Sequence, residues 1–305
     1  MKNKSKFGFV AIVGKANVGK SSILNALIGQ KISIVSSKAQ TTRNRIMGIL
    51  TKDSTQLVFL DTPGIHKTRN SLDNYMDKTI TQTISGVDAI LLVVDVSKKI
   101  DETESYTIKR LQNCNVPIIL ALNKIDLIKD KEALLEILNH YSKLTKFSEI
   151  IPISAIKKDG IDILFKALEK NIPNGEHCFS EDELTDQPER VLVSEIVREK
   201  VLRYLDKEIP HGVAVCTEKM KEREDKNILD LSLVIYCEKK SHKGIIIGKN
   251  GLMLKKIGTA ARSDIEKLLA LPVNLKLWVK VKEDWRNNLN LLSEFGYNQK
   301  DLSWV

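Results

Sequence analysis

The chain has 305 residues, enough for two domains at roughly 100 to 200 residues each, and its 42% hydrophobic and 29% charged residues exclude collagen-like or wholly disordered chains. The net charge is +9, and residues 1–180 hold 26 basic against 18 acidic side chains while residues 181–305 hold 22 against 21. Four cysteines, Cys114, Cys178, Cys216 and Cys237, lie far apart without a C-x-x-C, which argues against a disulfide scaffold or zinc ribbon and fits a reducing, cytosolic setting.

Up to about residue 170, short apolar runs alternate with amphipathic stretches, the pattern of βα units around a mainly parallel sheet. Strands are expected at 7–13, 45–50, 56–60, 88–95, 117–122 and 149–153, and helices at 20–28, 72–84, 103–111, 131–144 and 161–169. None of the apolar runs approaches the ~20 residues of a membrane-spanning helix, and 7–13 is too short for a signal-peptide core. Residues 171–189 carry Pro, Gly and an acidic cluster, which reads as a linker. A second unit follows, with a helix at 188–205, strands at 213–220 and 228–238, a helical stretch at 241–269 broken by Gly-x-x-Gly, and a strand at 273–281. An amphipathic piece at 284–295 ends the pattern. The domain limits expected are 1–172, a linker at 173–189, 190–283, and a tail at 284–305.

The run GKANVGKS, comprising Gly14, Lys15, Ala16, Asn17, Val18, Gly19, Lys20 and Ser21, matches G-x-x-x-x-G-K-[ST] between an expected strand and an expected helix. Glycines let the loop turn its N–H groups toward phosphates, Lys20 reaches the β- and γ-phosphates, and the Ser21 hydroxyl can ligate Mg²⁺ at a helix N-terminus. Ser22 continues the loop into the helix. Three motifs then close strands in order. DTPG (Asp61, Thr62, Pro63, Gly64) places a carboxylate for Mg²⁺ and the Gly64 N–H for a γ-phosphate. NKID (Asn123, Lys124, Ile125, Asp126) places a carboxylate that accepts both N1–H and the 2-amino group of guanine, which adenine cannot supply. SAIK begins with Ser154 and Ala155, whose backbone N–H is expected to meet guanine O6. Each motif is short, but all four at strand C-termini, where open α/β sheets hold ligands, point to one nucleotide site.

With AQTTR between the first two, these motifs resemble the five G motifs of the translation-factor-like small GTPases. KAQTTRNRIMGI followed by DTPGIHK is similar to the Era family of bacterial GTPases. The resemblance implies that Thr42 joins the Mg²⁺ shell with Ser21 and Asp61, Thr41 being its rival. The loop departs from the family's G-R-P-N-V-G-K-S-T at Lys15, Ala16 and Ser22, outside the Gly-Lys-Ser core. Where Ras-like enzymes place a water-orienting Gln after the Asp-x-x-Gly motif, this chain has Ile65, so slow intrinsic turnover is expected. Asn17 matches the asparagine with which some relatives hold K⁺ near the phosphates. Catalytic roles are thus assigned to Lys20, Thr42, Gly64 and Asn17, while His66, lacking an identifiable orienting partner, reads as an exposed switch residue rather than a base.

Residues 239–282 hold 11 basic side chains against Asp264 and Glu266, a block suited to a polyanion. Within it, Gly248, Lys249, Asn250 and Gly251 form a G-x-x-G between apolar stretches, in the order α-β-β-α-α-β. This is similar to a KH domain of type II topology, whose loop clamps a nucleic-acid backbone over about four nucleotides while an apolar groove takes unstacked bases. Lys249 is the expected phosphate contact, with Lys243, Ile247, Lys255 and Lys256 completing the candidate RNA surface. Trp285 can stack on a base, although at such spacing it more often packs in a core.

The expected fold is therefore α/β, a doubly wound P-loop GTPase sheet followed by an α+β type II KH domain. The resemblance implies GTP/GDP, Mg²⁺ and K⁺ as ligands. It further implies binding of the 3′ end of small-subunit (16S) ribosomal RNA, assistance to 30S assembly, and a cytoplasmic monomer with peripheral association with the inner face of the cell membrane. The alternative is an RNA-binding assembly protein whose nucleotide domain does not hydrolyse GTP. A tRNA-modifying GTPase would need a cysteine near its C-terminus, and none follows Cys237.

Overall fold

The computed structural model describes residues 5–38, 40–65, 68–224 and 227–298. Six strands form the first sheet: β1 (Lys6–Val13), β2 (Ile46–Lys52), β3 (Thr55–Asp61), β4 (Ala89–Asp95), β5 (Ile118–Asn123) and β6 (Glu149–Ile153), in the order β2-β3-β1-β4-β5-β6. Only β2 runs antiparallel, against β3. Strands β3 and β4 are buried along their whole length, as a parallel sheet covered on both faces requires. Helices α1 (Lys20–Ile28) and α5 (Ile161–Asn171) cover one face, burying Ile23, Leu24, Leu164 and Leu168 on Val10 and Ile12. Helices α2 (Ser71–Ser85), α3 (Glu102–Leu111) and α4 (Lys131–Leu144) cover the other, where Ile80, Ile108 and Tyr141 meet Leu92 and Leu122. The arrangement puts the C-terminal ends of β1, β3, β4, β5 and β6 on one rim.

Residues 172–188 contain no helix or strand, but they are tied to the sheet edge rather than loose. The Gln56 side chain bonds the backbone of Cys178 and Phe179, Ile49 N–H donates to Leu184 O (2.8 Å), and Thr185 Oγ1 donates to Met47 O (2.6 Å). The segment thereby covers β2, which as the edge strand would otherwise present unpaired backbone groups.

The second unit runs α6 (Glu189–Tyr204), β7 (Val213–Glu222), β8 (Leu229–Cys237), α7 (Lys240–Ile247), α8 (Leu252–Leu269) and β9 (Val273–Val281). Its sheet has the order β7-β8-β9, with β7 antiparallel and β9 parallel to β8. Helices α6 and α8 pack Val197, Val201, Ile257 and Ile265 on the inner face, over Leu231, Leu233 and Val279. Residues 284–297 return over the outer face, through a short turn at Trp285–Asn287 and helix α9 (Leu289–Glu294). There Trp285, Leu292, Phe295 and Tyr297 join Val234 and Tyr236 to Leu72, Tyr75 and Met76 of α2, so one apolar cluster spans both sheets' units.

Trp285 is wholly buried, edge-on to Phe295, and its Nε1–H donates to Gly212 O (2.9 Å). It is core, not a base-stacking surface. Trp285→Ala is expected to lower stability by about 3–5 kcal/mol, read from the urea midpoint. A loss under about 1 kcal/mol would mean that the indole does not anchor the tail.

Candidate nucleotide site and nucleic-acid groove

The loop between β1 and α1 carries Lys20 into the interior, where its ammonium donates to Gly14 O (3.1 Å) and Lys15 O (2.9 Å). Burial pushes the Lys20 amine down to about 8, against the opposing pull of Asp61. Gly19 has φ 103°, and a Cβ there would fall 2.2 Å from Asn123 Nδ2, so only glycine fits. A Cβ on Gly64 would lie 2.7 Å from Ala16 Cα, which keeps the DTPG turn against the loop. Thr62 is structural, its hydroxyl donating to Ile12 O (2.8 Å). Lys15 pairs with Asp101, the residue that caps α3.

Ser21, Thr42 and Asp61 converge. Ser21 Oγ donates to Asp61 Oδ2 (2.6 Å) and lies 3.0 Å from Thr42 Oγ1. Ser33, which local motifs do not reveal, also donates to Asp61 Oδ2 (3.0 Å). Burial pushes the Asp61 carboxyl up in spite of Lys20 and these hydroxyls, and its Oδ1 is buried with no hydrogen-bond partner. A carboxylate with an unused oxygen beside two hydroxyls is a hard-oxygen donor set that fits Mg²⁺. Thr41 instead turns its hydroxyl back to Lys38 O (2.6 Å).

The base side is built from NKID and SAIK. Asn123 Nδ2 donates to Val18 O (2.8 Å), and its Oδ1 accepts from Ala155 N–H (3.1 Å), tying the phosphate loop to SAIK. The Ala155 N–H, expected to meet guanine O6, is the donor that Asn123 holds. Asp126 stands exposed beyond it and accepts from Ser154 Oγ (2.5 Å). Lys124, at φ 71°, donates to Asn17 O (3.0 Å) and Asp95 Oδ2 (2.5 Å). Burial alone would raise the Asp95 carboxyl, but hydrogen bonds from Lys124 and Ser97 hold it below the usual range. A cavity of about 320 Å³ lined by Asn17, Gly19, Lys20, Ser21, Ser22, Thr42, Gly64 and Lys124 opens over these groups. Ile65 is buried in the core, and Asn17 Nδ2 donates to Ser37 O (2.6 Å). His66 lies outside the described residues.

The segment around Thr42 is held from the other side by the second unit. Arg43 is buried and donates to Val213 O (2.6 Å), His211 O (2.8 Å) and the Tyr297 hydroxyl (3.4 Å), with its guanidinium over the Trp285 ring. Arg198 of α6, also buried, binds Glu195 and the carbonyls of Gln40 and Thr41. Glu199 accepts from Val35 N–H (3.1 Å) and Lys31 (2.7 Å). Apart from Arg198 with Glu195 on the same helix, these pairings join residues over 150 apart in sequence, so no local pattern announces them.

In the second unit Gly248 has φ 72°, and a Cβ on it would meet Met253 Cβ at 2.7 Å. Lys249 and Asn250 project into solvent at the turn between α7 and α8. A groove beside the turn is lined by Gly251 of the turn, by Leu254, Lys255, Gly258, Thr259 and Arg262 of α8 and by Leu275 and Leu277 of β9. Of the expected RNA residues, Gly251 and Lys255 line it. Lys243 lies on α7 outside that lining and Ile247 packs against the core, while Lys256 sits over the Tyr204 ring (4.5 Å) in a cation–π contact. Arg262 and the β9 leucines are additions that sequence reading missed, because a groove wall from a distant strand leaves no local signal.

Asp95→Ala removes the carboxylate that holds Lys124 and is expected to weaken GDP binding by about 1.5–3 kcal/mol, roughly tenfold or more. Combined with Lys124→Ala it should cost little beyond the lysine change, in a titration with fluorescent GDP. Additive losses would mean that Asp95 acts elsewhere.

Family models agree with both halves of this geometry. Residues 9–124 match the 50S ribosome-binding GTPase family and residues 208–286 the KH domain. GTPase Era of Clostridioides difficile is 54% identical over 295 residues, 97% of this chain and 99% of its own length. GTPase Era of Ruminiclostridium cellulolyticum is 52% identical over 292 residues, covering 96% and 97%. Among solved structures, an Aquifex aeolicus Era variant bound to GDP and AlF₄⁻ superposes with a TM-score of 0.91 at 40% identity, covering 96% of this chain and 99% of that one. Era in complex with Mg-GDPNP and nucleotides 1506–1542 of 16S ribosomal RNA gives 0.92 at 40% identity and the same coverage. A P-loop nucleotide rim, a Gly-x-x-Gly groove and relatives matched over nearly their full length together make this chain a member of the Era family of GTPases.

Proposed function

We propose that this chain is a GTP-hydrolysing switch that binds the 3′ end of small-subunit ribosomal RNA and assists 30S assembly. The observation that carries it is the position of residues 40–43. Thr42 meets Ser21 beside Asp61, while its neighbours Thr41 and Arg43 are gripped by Arg198 and by the carbonyls of His211 and Val213 at the start of β7. One short segment is thus common to the nucleotide site and the RNA-binding unit. The crystallised relative that carries both Mg-GDPNP and a 16S fragment supports the same pairing of ligands.

Within that reading, Lys20 and the loop N–H groups bind phosphates, and Asp126 with Ser154 selects guanine. Ser21, Thr42 and Asp61 hold Mg²⁺, which when bound neutralises charge on the phosphate oxygens. Gly64 places its N–H at the γ-phosphate. Ile65 supplies no polar group to orient water, so intrinsic turnover is slow. Asn17, resting on Ser37 of the same switch segment, brings a side-chain oxygen suited to K⁺. A monomer working in the cytoplasm, with peripheral association with the inner face of the membrane, rests on the family resemblance alone. None of the described helices is long and apolar enough to cross a membrane.

Single-stranded RNA from the 16S 3′ end is expected to raise GTP turnover in the native protein. Lys249→Asp with Asn250→Asp should abolish that stimulation and weaken RNA binding by roughly tenfold or more while GTP affinity holds. An absence of RNA effect on turnover in both proteins, with RNA still bound, would favour the assembly protein with an inert nucleotide domain.

Turnover is also expected to be faster in K⁺ than in Na⁺ at saturating Mg²⁺, and Asn17→Ala to remove the difference. Equal rates in the two salts for the native protein would eliminate the K⁺ role.

A further inference from the structure

Among the described residues, strand β9 is the edge of the second sheet and bonds only to β8. Alternate side chains of a strand face opposite ways, and in β9 both faces carry chemistry. Leu275 and Leu277 point inward and form one wall of the Gly-x-x-Gly groove. Trp278, next in sequence, points to the outer face and is 57% exposed. Its neighbour across the sheet, Val234, is covered by the tail cluster, yet the tail leaves the Trp278 ring in water.

A single exposed apolar side chain is ordinary, but two features set this one apart. Residues 273–282 hold Lys276, Lys280 and Lys282 and no acid, and Lys276 and Lys280 flank Trp278 on the same face. Glu218 on β7 pairs with Lys280 (2.8 Å), while Lys276 has no ion-pair partner among the described residues. In addition, the ring lies on the opposite face of the strand that walls the groove, at an edge with no further strand among the described residues. An aromatic face between lysines is the composition of a single-stranded nucleic-acid platform, where a base stacks and ammonium groups follow the backbone. Charge complementarity and continuity with the groove therefore favour RNA as the occupant.

We propose that single-stranded RNA leaving the Gly-x-x-Gly groove crosses the β9 edge and stacks a base on Trp278, with Lys276 and Lys280 along its backbone. This rests on the KH reading of the groove and extends its footprint beyond the roughly four nucleotides such a groove holds.

The test compares two RNAs from the 16S 3′ end, one of about four nucleotides that fills the groove and one of about ten. Trp278→Ala is expected to weaken the longer RNA about tenfold and leave the shorter unchanged, with Trp278→Phe retaining most of the affinity. Native tryptophan emission should be quenched by the longer RNA and not by the shorter, and Trp278→Ala should lose that quenching while keeping the native urea midpoint. Unchanged affinity of Trp278→Ala for both RNAs would overturn the proposal while leaving the KH reading intact, and would point to a protein partner for this face. Equal weakening of both RNAs would also overturn it, since the ring would then be acting through the groove. If the native protein bound neither RNA, the KH reading and the proposal would fall together.

Discussion

Two guanidinium groups, Arg43 and Arg198, are withdrawn from water at the seam between the nucleotide sheet and the second unit. A buried cation is tolerated only where acceptors replace its hydration, and removing its partners typically costs several kcal/mol. For Arg43 the acceptors are carbonyls at His211 and Val213, and for Arg198 they are Glu195 and the carbonyls of the segment that carries Thr42. Each arginine reaches into the other unit, so the carbonyls that replace its water are within reach only when the units are docked. The conformation of residues 40–43 and the docking of the second unit are consequently one equilibrium. A ligand that draws Thr42 toward the metal site acts on the seam, and by linkage a ligand on the second unit acts back on Thr42.

Helix α6 is what makes this seam affordable in packing terms. It is buried on nearly all sides, with Val193, Val197 and Val201 on the second sheet and Arg198, Glu199 and Lys200 turned toward the nucleotide unit. Glu199 and Lys200 pair with each other, with Lys31 and with Asp264, which brings the start of the switch segment and α8 into the same network. Interactions with these cations hold the Glu199 and Asp264 carboxyls below their usual range against the effect of burial. Because both values are depressed on folding, the stabilisation is complete above the ordinary carboxylate range and drains away as pH falls through the lowered values.

Local sequence carried the nucleotide rim because the phosphate loop, DTPG, NKID and SAIK are each contiguous and each ends a strand that hydrophobic patterning reveals. The strand at 273–281 and the helices around Gly248 were legible for the same reason, since apolar periodicity switches where the backbone does. Ser33, Asp95, Arg43, Arg198 and Arg262 were not legible. Arg43 and Arg198 bond across units more than 150 residues apart, Ser33 and Asp95 reach Asp61 and Lys124 from outside the motifs, and Arg262 meets its groove only through a distant strand. The Ala155 N–H illustrates a different gap: the motif placed the residue, while the direction of its hydrogen bond depended on Asn123 from another strand. Trp285 packs in the core, as its spacing favoured, while the Tyr204 ring under Lys256 comes from another helix and leaves no local sign.

The segment after α5 has a mechanical consequence. Its bonds to Gln56, Ile49 and Met47 fasten it along the sheet through Thr185. What is left to bend before α6 begins at Glu189 is only residues 186–188, and Pro188 has its own φ fixed by its ring. The second unit is therefore leashed at a near-fixed pivot beside β2. It can swing about that point, but it cannot drift away, so an undocked unit remains at high effective concentration next to the seam it has left.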